Sequence, residues 1–162
     1  MKHPFRIGYG EDIHRLVPNR PLILCGTKID SPLGLDGHSD ADVAFHALSD
    51  ALLGAIGEGD IGKHFPPDDP SCEGIDSSKI VQKCLGLVKK HGYYIGNVDL
   101  FILAEAPKLR PYEEAMKKRL SEVLGIEISD IGFQFGTNEK LDAVGEGKAI
   151  RATCICLLEE AK

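Results

Sequence analysis

Apolar residues recur at helical spacing between residues 39 and 56. At about 100° per residue, Val43, Ala44, Ala47, Leu48, Ala51, Leu52 and Ala55 fall on one side. Asp42, His46, Ser49 and Asp50 fall on the other, with Phe45 among them as an apolar exception. Ser39 offers an N-cap and Asp42, three residues on, a capping-box-like partner, so the pattern predicts a helix over 39–56. His46 is expected on its polar face, and a single histidine there reads first as a solvated surface group.

The rest of the chain alternates between the two periods. Residues 5–14 read as a strand passing into an irregular, glycine-punctuated segment. Asp12 and His14, two apart, point to one side of extended backbone. Residues 21–30 carry a second strand signal with a bulge or turn at Gly26. Residues 79–91 repeat as a helix capped by Ser77 or Ser78, striped by Ile80, Cys84, Leu87 and Val88 and stopped at Gly92. A buried strand is predicted over 93–103, a helix opened by Pro111 over 111–124 and ended by Gly125, and strands over 131–135 and 149–159. Loops rich in Gly, Pro and acidic residues fill 57–70, 104–108 and 142–147, and one as long as 57–70 is more often functional than idle. No repeat or linker interrupts this order. The expected fold is α/β (an α+β-like layer), one domain over 1–162 with helices packed on one mixed sheet.

Composition narrows the function. At 162 residues, with 43% hydrophobic and 27% charged positions, the chain is long enough to bury a core without staples. A formal net charge of −6 argues against a nucleic-acid or anionic-membrane binder, and an anionic substrate would need local cations or metal ions. No apolar run approaches a membrane span and no signal-peptide core precedes Phe5. Five cysteines without a CxxC pair fit a reducing compartment, and Cys154 and Cys156 share one strand face, where core packing is the expected role.

Asp12, His14 and His46 together supply one oxygen and two nitrogens, a set suited to zinc with a fourth position left for water or substrate. His38, Asp40, Asp42, Asp50 and Asp60 are candidate acceptors behind the imidazoles. Glu139, beside Thr137 and Asn138 at a strand end, suits Mg²⁺ against phosphates, or is a plain surface carboxylate. The 104–108 loop has no Walker or dinucleotide glycine pattern, so nucleotide recognition there must use exposed backbone and Lys108, itself by default a solvated lysine.

Five stretches then stand in order: Arg6-Ile-Gly-Tyr-Gly-Glu-Asp-Ile-His14, His38-Ser-Asp-Ala-Asp-Val-Ala-Phe-His46, Asp60-Ile-Gly62, Ala106-Pro-Lys108 and Thr137-Asn-Glu-Lys140. Nearly end to end, the chain resembles the 2-C-methyl-D-erythritol 2,4-cyclodiphosphate synthase family of non-mevalonate isoprenoid biosynthesis. The resemblance implies a homotrimer with active sites between subunits, acting on a cytidine diphosphate substrate with Zn²⁺ and with Mg²⁺ or Mn²⁺. It implies a cytoplasmic enzyme, or one of the plastid stroma where a transit peptide has been removed.

Carried over by position, Asp12, His14 and His46 match the zinc ligands and Glu139 the ligand of the second ion. His38 and Thr137 match catalytic positions. His38 and Ser39 match the loop on the substrate phosphates and methylerythritol, and Asp60, Ile61 and Gly62 the methylerythritol-binding turn. Ala104 to Leu109, with Ala104, Ala106, Pro107, Lys108 and Leu109 as the named contacts, match the cytidine pocket. Phe65, Asp68, Asp69, Gly136 and Asn138 complete the implied substrate contacts, with Asp12 and His14 also facing substrate. The chain departs from the pattern at Phe65-Pro-Pro-Asp-Asp-Pro70, where Pro67 replaces an acid that Asp68 would have to supply. The connector after Lys140 lacks the usual Gly-Phe and Gly-Arg-Gly-Glu-Gly elements. A zinc hydrolase using bound water, or a non-catalytic trimeric module with a structural metal, would use the same ligands. Product analysis and a turnover assay separate these from the synthase.

Overall fold

The computed structural model describes residues 3–162. Five strands form the main sheet in the order β4-β1-β7-β5-β6: β1 Phe5–Pro18, β4 Leu33–Leu35, β5 Tyr93–Leu103, β6 Ile131–Gly136 and β7 Ala149–Glu160. All neighbours are antiparallel except β5 and β6, so the sheet is mixed. It is not the only sheet. The 21–30 segment folds as a separate hairpin of β2 (Leu22–Leu24) and β3 (Thr27–Ile29). Cys25 and Gly26 turn it with φ of 51° and 66°, the left-handed pair that a type I′ two-residue hairpin requires. Helices α1 (Val43–Ile56), α3 (Ser77–Lys90) and α4 (Glu113–Leu124) carry the core on one side, and short helices α2 (Ile61–His64) and α5 (Asp142–Gly145) lie within the predicted loops.

β1 stays regular past its glycines, pairing β7 from Phe5 to Arg15 without a break. Its inward row runs Gly8, Gly10, Asp12, His14. A Cβ on Gly8 or Gly10 would lie 1.8 or 1.9 Å from the carbonyl oxygens of Ala51 or Ala47, so the bare backbone lets α1 lie directly on the strand. Cys154 and Cys156 face the same core, each 1% exposed, as the strand period predicts.

The polar face predicted for α1 is not solvated. Asp42, Phe45, His46 and Ser49 are all buried, because α1 sits between the sheet, α3 and the β2–β3 hairpin and is covered nearly all round. Asp42, not Ser39, caps the helix, accepting from Phe45 N (3.0 Å), and it also accepts from Cys25 N (3.0 Å) and Gly26 N (2.7 Å), which ties the hairpin to the helix start. Likewise Asp76, not Ser77 or Ser78, caps α3. Pro111 sits in a 3-10 turn ahead of α4, rather than at its first position.

The outer face of the sheet is not covered by a helix. Phe5, Ile7, Tyr9 and Ile13 of β1, Tyr94 of β5 and Ile155 of β7 are each about half exposed or more, between 49% and 74%.

Candidate metal and substrate site

β1 delivers Asp12 and His14 to one side of the strand, and α1, held against the glycines, delivers His46 across from them. His14 Nε2 lies 2.9 Å and His46 Nδ1 3.0 Å from Asp12 Oδ2, and the two ring nitrogens are 3.1 Å apart. Three donor atoms thus form a triangle with edges near 3 Å, small enough for one ion about 2 Å from each. They are the one His/Cys/Asp/Glu group among the described residues arranged to share a metal ion. Burial penalises the Asp12 carboxylate, yet hydrogen bonds from both histidines outweigh it and hold its pKa far below the ordinary value. Burial also works against a charged His14, and Asp12 with the Asp36 carbonyl reverses it, raising the His14 pKa. The donor chemistry fits a divalent cation, which would take the place of shared protons.

Behind this triangle, His46 Nε2 lies 3.0 Å from Ser77 Oγ and 3.1 Å from Ser39 Oγ. None of the carboxylates suggested by sequence touches an imidazole there. Asp40 instead accepts from the Ser77 hydroxyl and amide, Asp42 binds the hairpin, Asp50 accepts from Ile61 N at 2.8 Å, and Asp60 caps α2. Asp50 is partly buried, and that burial raises its pKa. Arg20, which sequence reasoning missed, donates to the carbonyls of Gly37 and Ser39 at 2.9 Å each and fixes the loop carrying His38. Its signal was weak, since an arginine two residues before a strand resembles any surface cation.

A cavity of about 270 Å³ joins the triangle to His38, Ser39, Ile61, Gly62 and Phe65, so the structure gathers these predicted positions. Asp68 and Asp69 line a neighbouring groove with His38 and Pro67 rather than this cavity, and Asp69 is spent on capping a 3-10 turn. Asp60 is exposed, and one of its oxygens accepts from Lys63 N.

A second cavity, about 480 Å³, opens at the carboxyl ends of the parallel pair β5 and β6, where open α/β sheets commonly bind ligands. Ala104, Glu105, Pro107, Lys108, Leu109, Gly136 and Thr137 line it. Glu105 accepts from Asn138 N at 2.9 Å and ties the two loops together. Arg110, also unanticipated, lines the cavity with its guanidinium 5.3 Å from the Phe135 ring centre. Ala106 is exposed beside it, and Glu139 is exposed with φ of 50°.

Residues 5–159 match the model of the YgbB family. The 2-C-methyl-D-erythritol 2,4-cyclodiphosphate synthase of Synechococcus elongatus is 52% identical over 154 residues, covering 95% of this chain and 96% of that protein. A solved structure of 2C-methyl-D-erythritol-2,4-cyclodiphosphate synthase superposes with a TM-score of 0.89 at 43% identity, covering 95% of this chain and 100% of the other. The Plasmodium falciparum IspF–CDP complex gives 0.88 at 34% identity, covering 100% of both chains. On this likeness of sequence and fold, the chain belongs to the YgbB family.

Proposed function

We propose that the chain converts 4-diphosphocytidyl-2-C-methyl-D-erythritol 2-phosphate into the 2,4-cyclodiphosphate with release of CMP, as a cyclising phosphorus–oxygen lyase of non-mevalonate isoprenoid biosynthesis. The observation that carries the reading is the donor triangle of Asp12, His14 and His46 opening into a cavity lined by the matched positions His38, Ser39, Ile61, Gly62 and Phe65. An oxygen of the substrate's own 2-phosphate attacks the β-phosphorus, and the bond to CMP breaks with its electron pair leaving on CMP. No protein nucleophile is needed, and the chain's work is positioning and charge stabilisation.

Asp12, His14 and His46 would hold zinc, and Glu139 a Mg²⁺ or Mn²⁺ ion. Such ions, when bound, polarise phosphate oxygens and offset their charge, which an acidic protein needs to bind this substrate. His38 and Ser39 orient the phosphates, and Asp60, Ile61 and Gly62 hold the methylerythritol hydroxyls, with Phe65, Asp68 and Asp69 as further substrate contacts. Ala104 through Leu109 take the cytidine, the Asp12–His14 side faces the substrate, and Gly136, Thr137 and Asn138 steady the transferring group. A CDP complex of the Plasmodium falciparum relative supports cytidine recognition of this kind.

The working unit is a homotrimer with sites between subunits. The two cavities share no lining residue, and β1 and β6 are separated by β7 and β5, roughly 14 Å across the sheet. The uncovered apolar sheet face supplies a surface on which copies would pack. No helix among the described residues is long and apolar enough to cross a membrane, in keeping with action in the cytoplasm or plastid stroma.

Incubation with the substrate and zinc plus Mg²⁺, followed by mass analysis, tests the reading. Equimolar CMP and cyclic diphosphate are expected, whereas a linear methylerythritol product carrying added water would indicate a hydrolase, and no turnover a binding module.

A further inference from the structure

We propose that Ser77 and Asp40 form a relay that positions His46 as a metal ligand, an inference that rests on the metal reading above. Asp40 is a pure acceptor when ionised, and the Ser77 hydroxyl donates its single proton to Asp40 Oδ1. The Ser77 oxygen is then left as an acceptor, 3.0 Å from His46 Nε2. A proton kept on Nε2 leaves Nδ1, the nitrogen that faces Asp12 and His14, as the one to give up its proton and bind when a metal ion takes the place of the hydrogen bond to Asp12.

The relay is held from both ends. Asp40 also accepts from Ser77 N (3.0 Å) and from Asp42 N (3.1 Å), so one carboxylate locks the start of α3 to the start of α1. Ser39 Oγ lies 3.1 Å from the same Nε2, but it already accepts from Ala41 N at 3.0 Å and leads on to no carboxylate. Only the Ser77 branch brings a negative charge behind the imidazole. A carboxylate acting through a hydroxyl raises the electron density at the ligating nitrogen and fixes the ring plane. His46 is 7% exposed and Ser77 fully buried, so water does not readily replace a lost partner.

Zinc affinity of the full chain, measured by competition with a chromogenic chelator, tests this without reference to turnover. Relative to wild type, Ser77→Ala and Asp40→Asn are each expected to weaken zinc about 10- to 100-fold. Cobalt(II) spectra of both variants should shift as His46 loosens. The control is Asp76→Asn, which removes a carboxylate charge at the same helix start without touching His46 while the amide oxygen can still accept from Ser78 N, and it should bind zinc as wild type does. The relay is overturned if Ser77→Ala and Asp40→Asn both stay within about twofold of wild type, or if Asp76→Asn matches their loss. A wild-type chain that takes up neither zinc nor cobalt would overturn the metal reading and the relay with it.

Discussion

Gly10 of β1 and Ala47 of α1 meet with no side chain between them: a Cβ on the glycine would stand 1.9 Å from the Ala47 carbonyl oxygen. That approach places His46, the residue before Ala47, beside Asp12 and His14, which follow Gly10 on the same strand face. Gly10→Ala must therefore push strand and helix apart and pull the donor triangle open. Overpacking of this kind against backbone is expected to cost about 3 kcal/mol or more in urea unfolding and to weaken zinc uptake. Gly86→Ala, on α3 where a Cβ would meet nothing within 4 Å, should be neutral or stabilise by up to about 1 kcal/mol.

Because His46 is buried, truncation to alanine would open a gap and confound loss of metal with loss of packing. His46→Asn is the better probe. Wild-type protein saturated with zinc at 100 times its dissociation constant should gain about 2.7 kcal/mol over the chelated form, visible as a higher Tm. The Asn variant should melt at the same temperature with zinc or with chelator. A zinc-dependent rise retained in His46→Asn would remove His46 from the ligand set.

The strand period and helix stops were legible: β5 occupies the predicted residues 93–103, and Asp12 with His14 project together as the two-residue spacing requires. The environment of α1 was not. A helical wheel separates apolar from polar positions but does not say that a hairpin and α3 will cover the polar side, which is what buries Asp42 and His46. The Ser77–Asp40 contact spans 37 residues and leaves no periodic trace, so Ser77 read only as a cap. The resemblance located the cavity-lining positions, which spacing by itself did not assemble.

Asp42 makes the apoprotein pH-sensitive. Burial, the dominant cause, with help from nearby Asp40, lifts its carboxyl from 3.8 to about 6, against the pull of the Gly26, Phe45 and Cys25 amides. The folded chain then holds this proton more tightly than the unfolded chain. Its contribution to stability is full below about 3.8 and is lost as pH rises toward about 6, a difference on the order of 3 kcal/mol. Asp42→Asn cannot titrate, so its stability relative to wild type should improve as pH rises through that window. Urea unfolding in chelator at several pH values checks this, and parallel curves for the two proteins would show that Asp42 is not the source.

The open sheet face gives the sharpest test of assembly. Ile155 sits mid-strand on β7, paired with Tyr9 on one side and Asp99 on the other, and is 52% exposed in the isolated chain. A glutamate there costs the isolated subunit little, since its carboxylate can reach water. Within a trimer the three symmetry-related copies would bring like charges onto one apolar interface, away from solvent. Ile155→Glu is therefore expected to keep the far-UV circular dichroism of the wild type while its sedimentation mass falls from three subunits to one. Cyclisation should fall with it, because the two cavities would no longer be brought together by neighbours. A monomeric wild type, or a variant that stays trimeric at micromolar concentration, would show that this face does not hold the subunits together.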